Sequence, residues 1–380
     1  MKKIFAAILF LGFLWACSSD GGEVIPPVDG VPDDPKEEVS FERGPLLTNW
    51  ADNIIIPSYE AFDTELNALN TSFDTFRTSA NPENLIALRA AWLKTYTLWQ
   101  RVSMFEIGPA ESEDFRFSMN TYPTNVEKIE NNIASSAYDL SLSSNREAKG
   151  FPALDYLING LGETDEVIVS KYATGDNQGL IEYTAAVLDD MQTKTTTILV
   201  EWKGSYKATF VSNDGASATA SVDRFVNDYI FYFEKFLRAG KMGIPLGVFS
   251  ADPFPDKVEA FYNSEVSNEL FLEGLQASQD FFNGKHFSSD TTGESLASYL
   301  DALNTVKDGE DLKTIINNQF DKARDRVTSL NTFRTEIENN TPPTDMLMAY
   351  DEVQRLVPLM KVDMVSAMSI SIDFVDADGD

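Results

Sequence analysis

The stretch from Pro82 to Val102 reads PENLIALRAAWLKTYTLWQRV, and its apolar side chains recur every three or four residues. This spacing is the period of a helix with one buried face, whereas the alternation typical of strands is rare in the chain. Asn81 and Pro82 predict the helix start, because asparagine caps helices and proline suits the first position. Gly108-Pro109 predicts the stop. The predicted buried face carries Leu85, Leu88, Trp92, Tyr96, Trp99 and Val102.

Similar stripes cover the chain from Leu46 onward. One runs from Leu312 to Ile337, and another, from Met346 to Met364, follows Thr341-Pro342-Pro343. Two more long helices are predicted over 178–202 and 222–241. Long helices with short Pro/Gly breaks favour antiparallel bundles. The sequence therefore predicts an all-α fold of two antiparallel helical-bundle halves, 44–211 and 222–380, that together form one domain.

Charge and rare residues narrow the classes of function. The 380 residues include 60 Asp and Glu against 30 Lys and Arg, a formal charge of −30. This charge repels phosphate backbones and excludes nucleic acid as a partner. One cysteine excludes an internal disulfide, and one histidine excludes multi-histidine zinc centres.

Residues 1–16 predict a lipoprotein signal peptide. Lys2 and Lys3 precede an apolar run, Ile4–Trp15, that is too short to span a bilayer as a helix. Ala16-Cys17 then resembles a lipobox, so we expect Cys17 to carry acyl chains such as palmitate. An ordinary secretory signal with a chance cysteine is the alternative.

The segment 17–43 is rich in proline and acids and predicts a disordered tether. We therefore expect a protein of the cell envelope, anchored through Cys17 to the outer membrane and facing either the periplasm or the surface.

Segments spread over the chain from about residue 44 together resemble the imelysin family. The resemblance implies an all-helical, duplicated fold, an association with bacterial iron uptake and a metallopeptidase label. The segments are Ala90-Ala91-Trp92, Ile107-Gly108-Pro109-Ala110, Tyr122-Pro123, Gly150-Phe151-Pro152-Ala153-Leu154-Asp155-Tyr156-Leu157, Lys241-Met242-Gly243-Ile244-Pro245, Asp252-Pro253 to Tyr262, and Lys361-Val362-Asp363 with Asp376-Ala377-Asp378-Gly379-Asp380.

The family's signature, Gly-x-His-x-x-Glu, is altered in this chain. Its histidine and glutamate would share one helical face and could bind a metal. Here Gly150 is kept, Pro152 replaces the histidine and Asp155 replaces the glutamate. Because proline offers no lone pair, the metal-binding pair is broken, and we expect no catalysis. Other family positions are changed as well, at Tyr96, Ser103, Tyr122 and Asn125.

The sequence allows two interpretations of the role of Asp155. Either it contacts a ligand, with Pro152, Gly150, Tyr96, Ser103, Tyr122 and Asn125 as companions, or it caps a helix or pairs with a base. If it is buried, it needs a donor such as a tyrosine hydroxyl or a base.

Two further features are weaker candidates. His286 follows Gly284 in a polar loop, with no acid at metal-binding helical spacing, and is expected to be solvated. Asp376, Asp378 and Asp380 resemble the front of a calcium loop but lack its bidentate glutamate, and Asp373 could contribute to weak cation binding there. A solvated tail is the main expectation, and weak binding of a divalent cation is the alternative.

The sequence leads to three competing functions. The first is a non-catalytic binding protein for iron or an iron complex, such as a metal chelate or a haem-like ligand, with the site in the cleft around the altered signature. The second is a metallopeptidase of the imelysin type. The third is a structural or adaptor lipoprotein that partners an outer-membrane iron transporter. Iron or another divalent cation is the only cofactor that any of these suggests.

Overall fold

The computed structural model describes residues 41–173, 175, 177–250 and 252–373. The signal peptide, most of the tether and the acids Asp376, Asp378 and Asp380 lie outside these residues. Within them the apolar stripes become helices, as predicted. The α-helices are α1 (Arg43–Asn49), α2 (Ile56–Thr78), α3 (Pro82–Val102), α4 (Pro109–Ser112), α5 (Phe115–Met119), α6 (Val126–Ser135), α7 (Gly150–Asp155), α8 (Asp165–Ala173), α9 (Gln178–Glu201), α10 (Lys207–Ser212), α11 (Ser221–Phe231), α12 (Ser267–Phe282), α13 (Leu296–Ala302), α14 (Leu312–Thr328), α15 (Phe333–Asn339), α16 (Thr344–Gln354), α17 (Leu356–Pro358) and α18 (Val365–Ala367).

Shorter helical turns and one small hairpin complete the described part of the chain. Several α-helices continue directly into π-helical segments, so their axes extend further than their α-helical bounds. The π-helical segments are Trp50–Ile55, Tyr156–Gly160, Trp202–Tyr206, Tyr232–Gly243 and Leu359–Met364; the 3₁₀ turns are Ser143–Ala148, Pro255–Lys257 and Phe261–Val266; and the antiparallel strands are β1 (Val306–Lys307) and β2 (Glu310–Asp311).

The long helices pack side by side in a continuous series. α9 contacts α2, α2 contacts α3, α3 contacts α12, α12 contacts α14, and α14 contacts α16. The predicted face of α3, including Trp92 and Trp99, is buried in this core. Asn81 caps α3, since its side-chain oxygen accepts the Asn84 backbone N–H. The contact between α3 and α12 joins the segments 44–211 and 222–380.

The structure corrects two helix boundaries. The stripe from Leu312 to Ile337 is not one helix: α14 ends at Thr328, and the Thr332 side chain caps a separate helix, α15. A threonine at this position accepts the Thr335 backbone N–H and so starts a new helix, although the apolar spacing continues across the break. The predicted helix 222–241 is α-helical only as far as Phe231 and is π-helical beyond it.

None of the helices between Phe41 and Asp373 that the structure describes combines the length and the apolar character needed to cross a bilayer.

Candidate functional site

The altered signature lines a cavity of about 190 Å³, which we call the outer pocket. Three parts of the chain form it: α7, the loop before α6, and the segment that leads from Asp256 to Tyr262. Its walls are mainly aromatic and aliphatic, with two carboxylates. The lining residues are Tyr122, Pro123, Thr124, Pro152, Asp155, Asp256, Val258, Ala260, Phe261 and Tyr262.

Gly150 sets the position of α7. Its φ angle is +71°, and an added Cβ would lie 2.2 Å from the Met119 carbonyl oxygen. Only glycine tolerates both conditions, so this residue brings α7 close to the end of α5. Pro152 then lies in the first turn, where its missing N–H costs nothing. Asp155 is the last α-helical residue before the π-helical segment Tyr156–Gly160, and it borders the outer pocket.

Asp155 is almost fully buried, with 1% of its surface exposed. Its Oδ1 accepts a hydrogen bond from the Asn159 side-chain amide at 2.9 Å, and its Oδ2 accepts one from the Tyr262 backbone N–H at 2.8 Å. The donors expected from the sequence, a tyrosine hydroxyl or a base, are therefore wrong for these contacts: neutral amides hold the carboxylate. Burial raises the pKa of Asp155 to about 7, and the hydrogen bonds only partly oppose this effect.

A second, smaller cavity lies next to the outer pocket, and we call it the inner chamber. It has room for the centre of about one water molecule, roughly 20 Å³. Tyr122 lines both cavities, so they are adjacent. The lining residues of the inner chamber are Trp99, Gln100, Ser103, Arg116, Asn120, Tyr122, Tyr232, Phe236 and Lys241.

A buried ion pair borders the inner chamber. Lys241 and Glu259, exposed by 4% and 1%, form a salt bridge. Glu259 Oε1 also accepts hydrogen bonds from the Asn120 side chain at 2.7 Å and from the Tyr96 hydroxyl at 3.0 Å. Burial lowers the pKa of Lys241, while Glu259 opposes this shift. The Tyr96 ring stacks on Phe151 of α7, with centroids 4.3 Å apart, and so links this network to the signature helix.

The structure brings together part of the predicted site. Tyr122, Pro152 and Asp155 line the outer pocket, and Gly150 positions them. Ser103 lies instead in the inner chamber. Tyr96 belongs to the network around Glu259.

Asn125 has a structural role. Its side-chain oxygen accepts the Lys128 backbone N–H and caps α6, and its amide donates to Glu147. Unlike Tyr122, it is not among the residues that line the outer pocket.

The weaker candidates lie elsewhere. His286 lines a different, polar cavity beside Arg101 and Asp280. Asp373 borders a cavity with Glu106 and Asp228, and its backbone N–H donates to Asn227. Among the described residues, no three His, Cys, Asp or Glu side chains are grouped so that they could hold a metal ion.

Sequence reasoning missed Glu259, Lys241, Asn120 and Arg116 as site residues. Lys241 and Glu259 both belong to segments quoted for the family resemblance, and this was the available signal. The contacts of Glu259 could not be predicted, because Tyr96 and Asn120 come from distant parts of the chain.

Comparisons with known proteins agree with this architecture. The imelysin family model, labelled as peptidase M75, matches residues 55–359. A curated relative, iron-regulated protein A from Synechococcus elongatus (strain ATCC 33912 / PCC 7942 / FACHB-805), is 28% identical over 147 residues, or 36% of this chain. The matched part spans only 40% of that relative's length.

Two solved structures share the fold. A crystal structure described as an iron-regulated protein A precursor, from Parabacteroides distasonis ATCC 8503, superposes with a TM-score of 0.68 at 16% identity, over 85% of this chain and 95% of that one. An imelysin-like protein from Psychrobacter arcticum 273-4 superposes with a TM-score of 0.67 at 14% identity, over 87% and 97%. At these identities the two structures support the fold alone.

Proposed function

This chain belongs to the imelysin family, and on that premise we propose that it is a non-catalytic, lipid-anchored envelope protein that binds iron or an iron complex for uptake. The outer pocket at the altered signature is the proposed site. The observation that carries the proposal is that the family's signature helix still lines a cavity of about 190 Å³, although Pro152 has replaced its histidine.

The lining of the outer pocket favours an iron complex over a bare ion. A bare cation needs several free oxygen or nitrogen ligands. Both oxygens of Asp155 already accept hydrogen bonds from the protein, and Asp256, the other carboxylate of the pocket, is exposed. Tyrosine, phenylalanine, proline and valine side chains instead suit the organic part of a chelate or a haem-like molecule.

The iron part of the proposal draws on the relatives' names. The curated relative and one structural neighbour are both described as iron-regulated protein A. The anchoring part draws on the lipobox-like sequence at Cys17. Acyl chains there would hold the binding domain at the outer membrane, where an iron transporter is the natural partner.

Equilibrium titration tests the proposal. The purified protein is titrated with ferric citrate and haemin, and with ferrous and zinc ions for comparison. We expect saturable binding of at least one iron complex at one site per chain, and weaker binding of the free ions.

Two matched variants place the site. Thr124→Trp puts a bulky side chain into the outer pocket, and Thr219→Trp puts one into a different cavity, beside Tyr206 and Phe210. Binding at least about tenfold weaker in Thr124→Trp alone would support the proposal. Flat titrations with every iron compound, or equal weakening in both variants, would contradict it.

The peptidase label of the family supplies the competing function. A peptidase would need a metal at a site where Asp155 is the only carboxylate that the signature provides. Chelator-sensitive cleavage of a peptide by the purified protein, lost in Asp155→Ala, would establish that function. Flat titrations together with co-purification of an outer-membrane transporter would favour the adaptor function instead.

A further inference from the structure

Asp155 is a buried carboxylate with no cation beside it. In the part of the chain that the structure describes, no lysine or arginine forms a salt bridge with it, and neutral amides donate to its two oxygens. Arg89, the base whose charge acts on Asp155, is itself paired with Asp165 at 2.7 Å. Buried charges in proteins are usually paired, because an opposite charge offsets the cost of leaving water. A positively charged ligand in the outer pocket would supply the partner that Asp155 lacks.

The rest of the outer pocket adds negative charge and no positive charge. Asp256 is a second, exposed carboxylate, and no lysine or arginine is among the lining residues. Arg334, a nearby base, is paired with Glu338 at 2.7 Å. A buried charge is screened less than an exposed one, so the field of Asp155 acts inside the pocket although only 1% of the residue is exposed. The pocket therefore attracts cations and repels anions.

Aromatic rings on the pocket wall suit a cation that carries no N–H groups. Tyr122, Phe261 and Tyr262 line the cavity, and each is partly buried. The faces of such rings attract quaternary ammonium groups electrostatically. Arg334 already lies over Phe261 in this way, with its guanidinium carbon 4.7 Å from the ring centroid. A primary ammonium has three donors to satisfy, and it fits less well because both oxygens of Asp155 already accept hydrogen bonds.

We infer that the outer pocket binds the quaternary ammonium group of an organic ligand. Its volume of about 190 Å³ is below the roughly 300–1,000 Å³ of pockets that enclose drug-sized molecules, so it holds one group of a larger ligand. In an iron complex of this kind, the ammonium group lies in the pocket, and the metal with its own ligands lies outside. The inference deepens the proposed function and rests on it only in using the outer pocket as a binding site.

Choline and 3,3-dimethyl-1-butanol are the probes, because they have the same shape and differ in the charged nitrogen. Each is titrated against the purified protein by ligand-observed NMR. Burial raises the pKa of Asp155 to about 7, so the titrations are run at pH 8, where the carboxylate is ionised. We expect saturable choline binding that is at least about tenfold tighter than binding of the neutral analogue. Ethanolamine, which has the same charge but three N–H donors, should bind more weakly than choline.

Three charge variants locate the effect. Asp155→Asn keeps the size of the side chain and removes its charge, so choline binding should weaken about tenfold. Its binding of the neutral analogue should stay within about twofold of wild type, which shows that the pocket is intact. Asp256→Asn should weaken choline binding less, about threefold, because Asp256 is exposed to solvent. Asp252→Asn is the matched control: Asp252 is an exposed acid four residues earlier that does not line the pocket, so choline binding should not change.

The inference is overturned if choline does not saturate, if the neutral analogue or ethanolamine binds as tightly, or if Asp155→Asn and Asp252→Asn have the same effect. Choline binding that survives in Thr124→Trp, where the outer pocket is filled, would also overturn it. Its failure is distinct from failure of the proposed function. Flat iron titrations with choline binding that depends on Asp155 would remove only the iron function. Iron-complex binding that is lost in Thr124→Trp, with choline no tighter than its neutral analogue, would remove only the ammonium site.

Discussion

Asp155 and Glu259 are equally buried, each exposed by 1%, but the protein holds their carboxylates in different ways. Glu259 faces the cation of Lys241 and accepts two further hydrogen bonds, from Asn120 and Tyr96. Asp155 receives only neutral donors. A cation offsets the cost of burying a charge, whereas two amides offset it only in part. Glu259 is therefore held in a buried ion pair, whereas burial raises the pKa of Asp155 to about 7 at the edge of the outer pocket.

Removal of the cation makes Glu259 resemble Asp155 and should have the largest effect. Lys241→Met leaves a buried carboxylate with neutral donors alone. We expect the free energy of unfolding at pH 7 to fall by about 3–5 kcal/mol, the usual cost of breaking a buried pair from one side. Urea denaturation measures it.

The double variant Lys241→Met/Glu259→Gln controls for lost packing. Because it removes both charges, it should recover most of the loss. If the double variant is as unstable as Lys241→Met, the lost packing of the side chains and not the unpaired charge explains the effect. The difference between Glu259 and Asp155 would then not depend on the cation of Lys241.

The same contrast shows what the sequence could predict. Asp155 was found because it lies in a local motif, three residues after Pro152, and the structure places both on the outer pocket. Glu259 and Lys241 are separated by 18 residues, and the chain between them contains no regular spacing that predicts their contact. Tyr96 lay on the helical stripe of α3, so its burial was predictable, but its hydroxyl partner on another segment was not.

The break between α14 and α15 could not be predicted from the sequence either. Apolar spacing continues from α14 into α15, because both helices face the same core, and it therefore cannot show where the first one ends. Thr332 caps α15 by accepting the Thr335 backbone N–H, and this contact is visible only in the structure.

Stability measured over a range of pH tests the raised pKa of Asp155. Burial raises its pKa from 3.8 to about 7 in the folded state. Between these two pH values the folded protein keeps a proton on Asp155 that the unfolded chain has lost. The contribution of Asp155 to the free energy of unfolding therefore falls as pH rises. From pH 5 to pH 8, we expect wild type to lose on the order of 2–3 kcal/mol relative to Asp155→Asn, measured by urea denaturation.

The stability of wild type is compared with that of Asp155→Asn because a second buried acid, Glu106, also affects stability in this pH range. Burial also raises its pKa to about 7, so the wild-type protein carries a second contribution of the same sign. Both Asp155→Asn and wild type keep Glu106, and its effect cancels in the comparison. A difference that stays constant from pH 5 to pH 8, or that grows in favour of wild type, would show that Asp155 is ionised throughout.

The smallest expected effect comes from removing one neutral donor. Asn159→Leu takes away the amide that donates to Asp155 Oδ1 at 2.9 Å. We expect a loss of about 1.5 kcal/mol at pH 8 and less at pH 5, since a hydrogen bond to an ionised carboxylate is stronger than one to its neutral form. Asn70→Leu is the control: Asn70 is also partly buried, but its amide donates only to the Leu66 carbonyl oxygen of its own helix, so its effect should not depend on pH. Equal losses at both pH values in Asn159→Leu would mean that the amide supports the backbone of α7 and not the charge of Asp155, and the difference between the two buried carboxylates would then lie in their packing.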